Sequence, residues 1–201
     1  TRPVLLGPVT WLGLGKAKDE GVDPLALLPA ILPIYVDILR RLHEAGADWV
    51  QIDEPILVTD LSDRQARALR MAYAELGAVG PQVMLASYFG ALDDNLDLAL
   101  SLPVVGLHLD LVRAPHQLDA VLARGAEKTL SLGLIDGRNV WRADLATALA
   151  RARDAAVRHG ADRIQIAPSC SLLHVPVDLT DEEELDAELK SWLAFATQKL
   201  A

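Results

Sequence analysis

Asp53 and Glu54 stand side by side where an apolar run, 49–52, gives way to Pro55. Adjacent carboxylates at the end of a strand are placed for general-base work, for gripping an amine or for holding a metal. Successive strand residues point to opposite faces, so at most one of the pair can meet a ligand on a given face. The alternative is architectural, with one acid capping the next turn and the other paired with a cation. A second constellation is Cys170 and His174, a C-x-x-x-H spacing, with His108 on another apolar run. These are zinc-ligand types, and three of them plus a water would make a catalytic site. The spacing lacks the close pair plus distant pair of ligands that such sites normally show, so a small buried cysteine is the stronger expectation. Nor does it bring Cys170 to a histidine base for nucleophilic work. A third constellation is Asp136-Gly137-Arg138-Asn139-Val140-Trp141-Arg142. Its arginines, Arg138 foremost, suit a carboxylate and Trp141 a flat ring. The competing expectation ties both arginines into ion pairs with Asp110 and Asp144. Gly13-Leu14-Gly15-Lys16 resembles a phosphate loop only superficially, because Thr10 and Ala17 stand where the fingerprint needs glycine and Ser or Thr.

What must position these residues is a recurring alternation of short apolar runs and longer amphipathic segments. The runs at 4–6, 49–52, 83–86, 104–109, 129–135 and 163–167 read as strands, several of them apolar at nearly every position. That pattern suits a sheet covered on both faces, or one closed into a barrel. Leu28, Leu32, Tyr35, Val36, Leu39 and Leu42 recur at helical spacing, and Gly46 marks the stop. Pro29 and Pro33 predict a late start or a kink. Ser62 and Gln65 form a capping box for a helix running to about Leu76. Another helix covers 144–159, with arginines towards its end. Thr180 is expected to cap the last, whose buried stripe is Leu189, Trp192, Leu193 and Ala196.

Composition narrows the class. The chain has 201 residues, 51% of them hydrophobic, which is ample for a core and excludes a disordered segment. Twenty-eight acids against 19 Lys and Arg leave a net charge of -9, the wrong sign for nucleic acid. One cysteine rules out an internal disulfide framework and points to a reducing, cytoplasmic setting. The most apolar stretch, 98–109, is broken by Ser101, Pro103, Gly106 and His108, and no basic-then-apolar leader opens the chain. Membrane insertion and secretion are not expected.

Alternating βα units imply a parallel sheet. The polar residues above all follow strands, and a TIM-type barrel brings every strand end to one mouth. No G-x-G-x-x-G opens a helix, as a doubly wound dinucleotide fold would require. The expected fold is therefore an α/β barrel, incomplete at about six of eight βα units. Residues 1–201 form a single unit of a longer protein, consistent with a start at Thr1 close to a strand. Two unpaired sheet edges and exposed apolar surface predict marginal stability in isolation.

Four stretches carry a family resemblance: Arg2-Pro3-Val4-Leu5-Leu6-Gly7-Pro8-Val9-Thr10, Val50-Gln51-Ile52-Asp53-Glu54-Pro55, Gly133 to Arg142, and Ser169-Cys170-Ser171-Leu172-Leu173-His174. In this order they resemble cobalamin-independent methionine synthase, and specifically the later part of its N-terminal barrel. The resemblance runs end to end. It implies a two-barrel enzyme moving the methyl group of 5-methyltetrahydropteroyltriglutamate to homocysteine, with zinc in the C-terminal barrel, the partner of this one in the same polypeptide. The catalytic barrel has a His-x-Cys pair where this chain reads Ser87-Tyr88-Phe89, and its late Pro-x-Cys is echoed by Pro168-Ser169-Cys170. The resemblance thus implies a half without catalytic residues or bound cofactor, with Asp53, Glu54, Arg138 and Trp141 as candidate substrate contacts and Cys170, His174 and His108 as weak metal candidates. Two other readings stay open: a purely structural interaction module, and a self-contained metal-dependent hydrolase or decarboxylase using Asp53, His108 and Cys170.

Overall fold

Six short parallel strands in strict sequence order form the centre of the computed structural model, which describes residues 2–18, 21–125 and 127–201. They are β1 (Val4–Leu6), β2 (Trp49–Asp53), β3 (Gln82–Ala86), β4 (Gly106–Asp110), β5 (Thr129–Ile135) and β6 (Ile164–Pro168). In chain order the helices are α1 (Pro8–Leu14), α2 (Leu28–Glu44), α3 (Asp63–Leu76), α4 (Leu96–Ser101), α5 (Gln117–Ala123), α6 (Leu145–His159), α7 (Ala187–Trp192) and α8 (Ala196–Leu200). Order β1-β2-β3-β4-β5-β6, with each neighbour parallel, is the topology of a barrel wall rather than a doubly wound sheet.

Register sorts the side chains into two layers. Leu6, Asp53, Ala86, His108, Ser131 and Gln165 are successive cross-strand partners and share the inner face. Their neighbours Ile52, Leu85, Leu107, Leu109, Leu130 and Leu132 point outward and are fully buried under the helices. Each such leucine or isoleucine stabilises the fold by about 1.5–3 kcal/mol. The helical face of that layer comes from Leu32, Leu39, Leu69, Tyr73, Leu76 and Val121.

Local signals explain most helix boundaries. The Ser62–Gln65 capping box is present, and Asp144 caps α6 by accepting from Thr147 N. Pro29 lies in the first turn of α2, where no N–H is needed, and Pro33 sits inside without ending the helix. The last helix departs from expectation. Thr180 belongs to a 3-10 turn capped by Asp178, and α7 starts only at Ala187, capped by Asp186. Asp178 also accepts from Gln198 at 2.7 Å, which ties that turn to α8 instead of starting a helix. Trp192 is exposed, while Leu193 turns extended, bridges to Trp141 and joins Leu179 and Phe195 in a small satellite core. Among the described residues, no helix is long and apolar enough to cross a membrane.

Candidate functional site

Polar side chains from four strands, from Arg2 just before β1 and from the loop after β3 line the inner face of the sheet. Arg2 donates to Gln165 at 2.8 Å and to Gln51 at 3.2 Å, spanning the lumen from one end of the sheet to the other. Gln51 passes its amide to Asp53 at 2.7 Å, and Tyr88 donates its hydroxyl to the other Asp53 oxygen at 3.1 Å. Burial raises the Asp53 carboxyl above its ordinary range, while Gln51, Tyr88 and Arg2 pull it back. His108 is buried between Ser131 Oγ at 2.9 Å and Ser169 O at 3.2 Å. A carbonyl can only accept, so Nε2 carries the proton and Nδ1 accepts from the serine. Burial lowers the His108 pKa, in keeping with that neutral ring.

Glu54, the next residue along, faces the other way. Its carboxylate accepts from Val9 N at 3.2 Å, Thr10 N at 2.8 Å and Thr10 Oγ at 2.5 Å, and so caps α1. Complete burial pushes its pKa up to about 7 against those three donors. With no exposed surface, Glu54 serves the architecture, but it caps α1 and not the turn that follows it, which the capping alternative expected. Asp53 accepts hydrogen bonds, with Arg2 nearby, rather than a direct ion pair.

The most unusual backbone lies at the mouth after β3. Phe89 has φ +79°, a left-handed conformation rare for an aromatic residue. Its N–H donates to Asp110 at 3.0 Å, and the other Asp110 oxygen accepts from Val112 N and Arg113 N. Asp53 through Tyr88, and Asp110 through Phe89, thus pin this dipeptide from the two flanking strands. Strain of this kind costs on the order of 1–3 kcal/mol and persists only where the surroundings over-determine it. The Phe89 ring meets Tyr88 edge-on at 4.6 Å and His174 at 5.5 Å, and the Arg138 guanidinium lies 4.8 Å above it. Three loops therefore converge on one exposed ring. Nothing in the residue types announced Phe89, since left-handed positions are normally marked by Gly, Asn or Asp.

The remaining candidates separate. Arg138 is exposed, and neither it nor Arg142 pairs with Asp110 or Asp144 among the described residues. Asp110 is spent on the loop after β3 and its own turn, and Asp144 on α6, so the expected ion-pair cluster does not form. Trp141 is exposed beside Leu193, and its carbonyl accepts from Lys199 at 3.0 Å. Cys170 is buried against Gly137, where a Cβ would lie 3.0 Å from Sγ and 2.8 Å from its carbonyl oxygen; only glycine lets the two loops approach so closely. Burial raises the thiol pKa, the wrong direction for a nucleophile. Cys170, His108 and His174 face different partners, and no three His, Cys, Asp or Glu side chains gather as around a metal among the described residues. The residues present do not fit a zinc site. Gly13 lies within α1, Gly15 is its C-cap and Lys16 borders an apolar cavity of about 340 Å³, so that glycine segment forms no phosphate cradle.

Comparison with known proteins adds to this geometry. Residues 1–159 match the family model described as cobalamin-independent synthase, N-terminal domain. The 5-methyltetrahydropteroyltriglutamate–homocysteine methyltransferase of Nitrobacter winogradskyi is 62% identical over 203 residues, covering 100% of this chain and 26% of that protein. Its namesake in Rhodopseudomonas palustris is 59% identical over the same shares. The chain thus spans about a quarter of the length of these relatives. Among solved structures, a B12-independent methionine synthase from Shewanella, in complex with selenomethionine, superposes with a TM-score of 0.64 at 16% identity. That match covers 86% of this chain and 55% of the other, and shares the fold.

Proposed function

From a chain that belongs to the cobalamin-independent methionine synthase family, within its N-terminal domain, we propose the non-catalytic half of a methyl-transfer enzyme. The whole protein would move the methyl group of 5-methyltetrahydropteroyltriglutamate to homocysteine, giving methionine, in the reducing cytoplasm. Zinc in the C-terminal barrel of the same polypeptide would keep the homocysteine thiol deprotonated near neutral pH. Residues 1–201 bind no cofactor in this reading; they supply a wall facing the folate substrate.

One observation carries this division of labour. Among the described residues no three potential metal donors gather at the mouth, whereas Arg138 lies exposed on the Phe89 ring with no carboxylate partner. A guanidinium resting over an aromatic face without an ion-pair partner has donors free for a carboxylate. Arg138 is then the substrate contact. Asp53 acts through Tyr88 as a positioning residue, and Trp141 offers a more distant aromatic surface. Glu54 holds α1.

Titration of tetrahydropteroyltriglutamate into the whole enzyme tests the proposal. Arg138→Ala should weaken binding about tenfold or more, the scale of one charge-assisted hydrogen bond, with unchanged melting. Unchanged affinity with lowered melting would instead favour a purely structural module. The hydrolase or decarboxylase reading has no observation in its favour, since Asp53, His108 and Cys170 do not meet.

A further inference from the structure

A carboxylate lies buried at the end of β4 without a cation to pair with. Asp110 is 1% exposed and joins no ion pair among the described residues. Its partners are all donors: Phe89 N reaches one oxygen at 3.0 Å, and Val112 N and Arg113 N reach the other at 3.1 and 2.9 Å. A carboxylate accepts on both sides, which an amide side chain cannot do. Burying a charge is costly unless hydrogen bonds compensate, and one of these three reaches outside the turn that Asp110 begins. A second tie runs beside it. Leu92 N donates to Gln117 Oε1 at 3.4 Å, and Gln117 Nε2 donates to the Asp110 carbonyl at 2.8 Å. The loop after β3 is thus held at two amides, three residues apart, by Asp110 and Gln117.

What that grip fixes is the Phe89 ring. The N–H that Asp110 holds belongs to the residue with φ +79°. Glycine adopts this conformation freely, whereas phenylalanine needs an outside contact to keep it. With its N–H turned to Asp110, Phe89 stands its side chain at the mouth. There the Arg138 guanidinium lies 4.8 Å above the ring, and His174 meets it at 5.5 Å. Arg138 is exposed and makes no ion pair among the described residues, so the ring is the support beneath its guanidinium. Given Arg138 as the substrate contact proposed above, we infer that Asp110 is a positioning residue for substrate binding. Through Phe89 N it holds the left-handed turn whose ring presents Arg138 to a carboxylate of the folate substrate. Asp53 fixes the neighbouring Tyr88 by its side chain; Asp110 fixes Phe89 by its backbone.

Titration of tetrahydropteroyltriglutamate into the whole synthase, with steady-state kinetics beside it, tests this role. In Asp110→Asn the amide oxygen stays with the two converging N–H groups of Val112 and Arg113, and the NH2 group meets Phe89 N donor to donor. Binding should weaken about fivefold, the scale of one hydrogen bond, with KM for the folate substrate rising by the same factor and kcat held. Phe89→Gly keeps the φ and the N–H contact but removes the ring, and should weaken binding at least as much. In an Arg138→Ala background neither change should weaken binding further. A full loss from either change in that background, or a lowered melting temperature with folate KM unchanged, would overturn the role of Asp110. If Arg138→Ala weakens binding and Asp110→Asn does not, the folate-side wall stands and the positioning role falls. If Arg138→Ala itself leaves affinity unchanged, both fall.

Discussion

The two faces of one sheet obey different rules. Outward residues such as Ile52, Leu85, Leu107 and Leu132 are apolar, fully buried and interchangeable in kind. Inward residues from Arg2 through Gln51, Asp53, His108 and Ser131 to Gln165 are polar, and each is satisfied by a specific partner. The outer face supplies bulk stability by excluding water. The inner face supplies position: through Tyr88 and His108 it aims the loops after β3 and β6 at the mouth. A barrel wall can therefore keep its architecture while its mouth changes task.

Substitutions on the two faces should separate this contrast. Leu107→Ala opens a cavity in the outer layer and should cost about 2–5 kcal/mol in a denaturant titration. Glu54→Ala, on the outward side but polar, leaves Val9 N and Thr10 N without their acceptor and should cost about 2–3 kcal/mol. Ser131→Ala removes one donor to His108 on the inner face and should cost about 1 kcal/mol. If Ser131→Ala matched Leu107→Ala, the inner network would be a stability element rather than a positioning one.

Smaller, pH-linked effects should run in opposite directions. Glu54 has a raised pKa, so its share of stability falls as pH rises from 4.5 to about 7. His108 has a lowered pKa, so stability falls as pH drops below 6.5. Denaturation midpoints measured across this window should lose the first slope in Glu54→Ala and the second in His108→Gln.

The outer face was the legible one. Mostly apolar runs located all six strands to within two residues, because the outward residue at every second position is apolar. Alternation also predicted that only one of Asp53 and Glu54 would face the axis. The inner face was harder, because partners such as Arg2 and Gln165 are 163 residues apart. Phe89 was invisible: two buried carboxylates impose its backbone, and nothing local requests it. The last helix failed for a related reason. Thr180 is a cap-forming residue type, but so are Asp178 and Asp186, which cap the 3-10 turn and α7, and contacts with Gln198 and the Trp141–Leu193 bridge decide where the helix starts.

Under the proposed function, residues 1–201 frame substrate and hold no metal. Zinc content and single-turnover methyl transfer, measured on the whole synthase carrying Cys170→Ala with His174→Ala, test it directly. The account predicts wild-type zinc and wild-type transfer; loss of a zinc ion from each chain would contradict it.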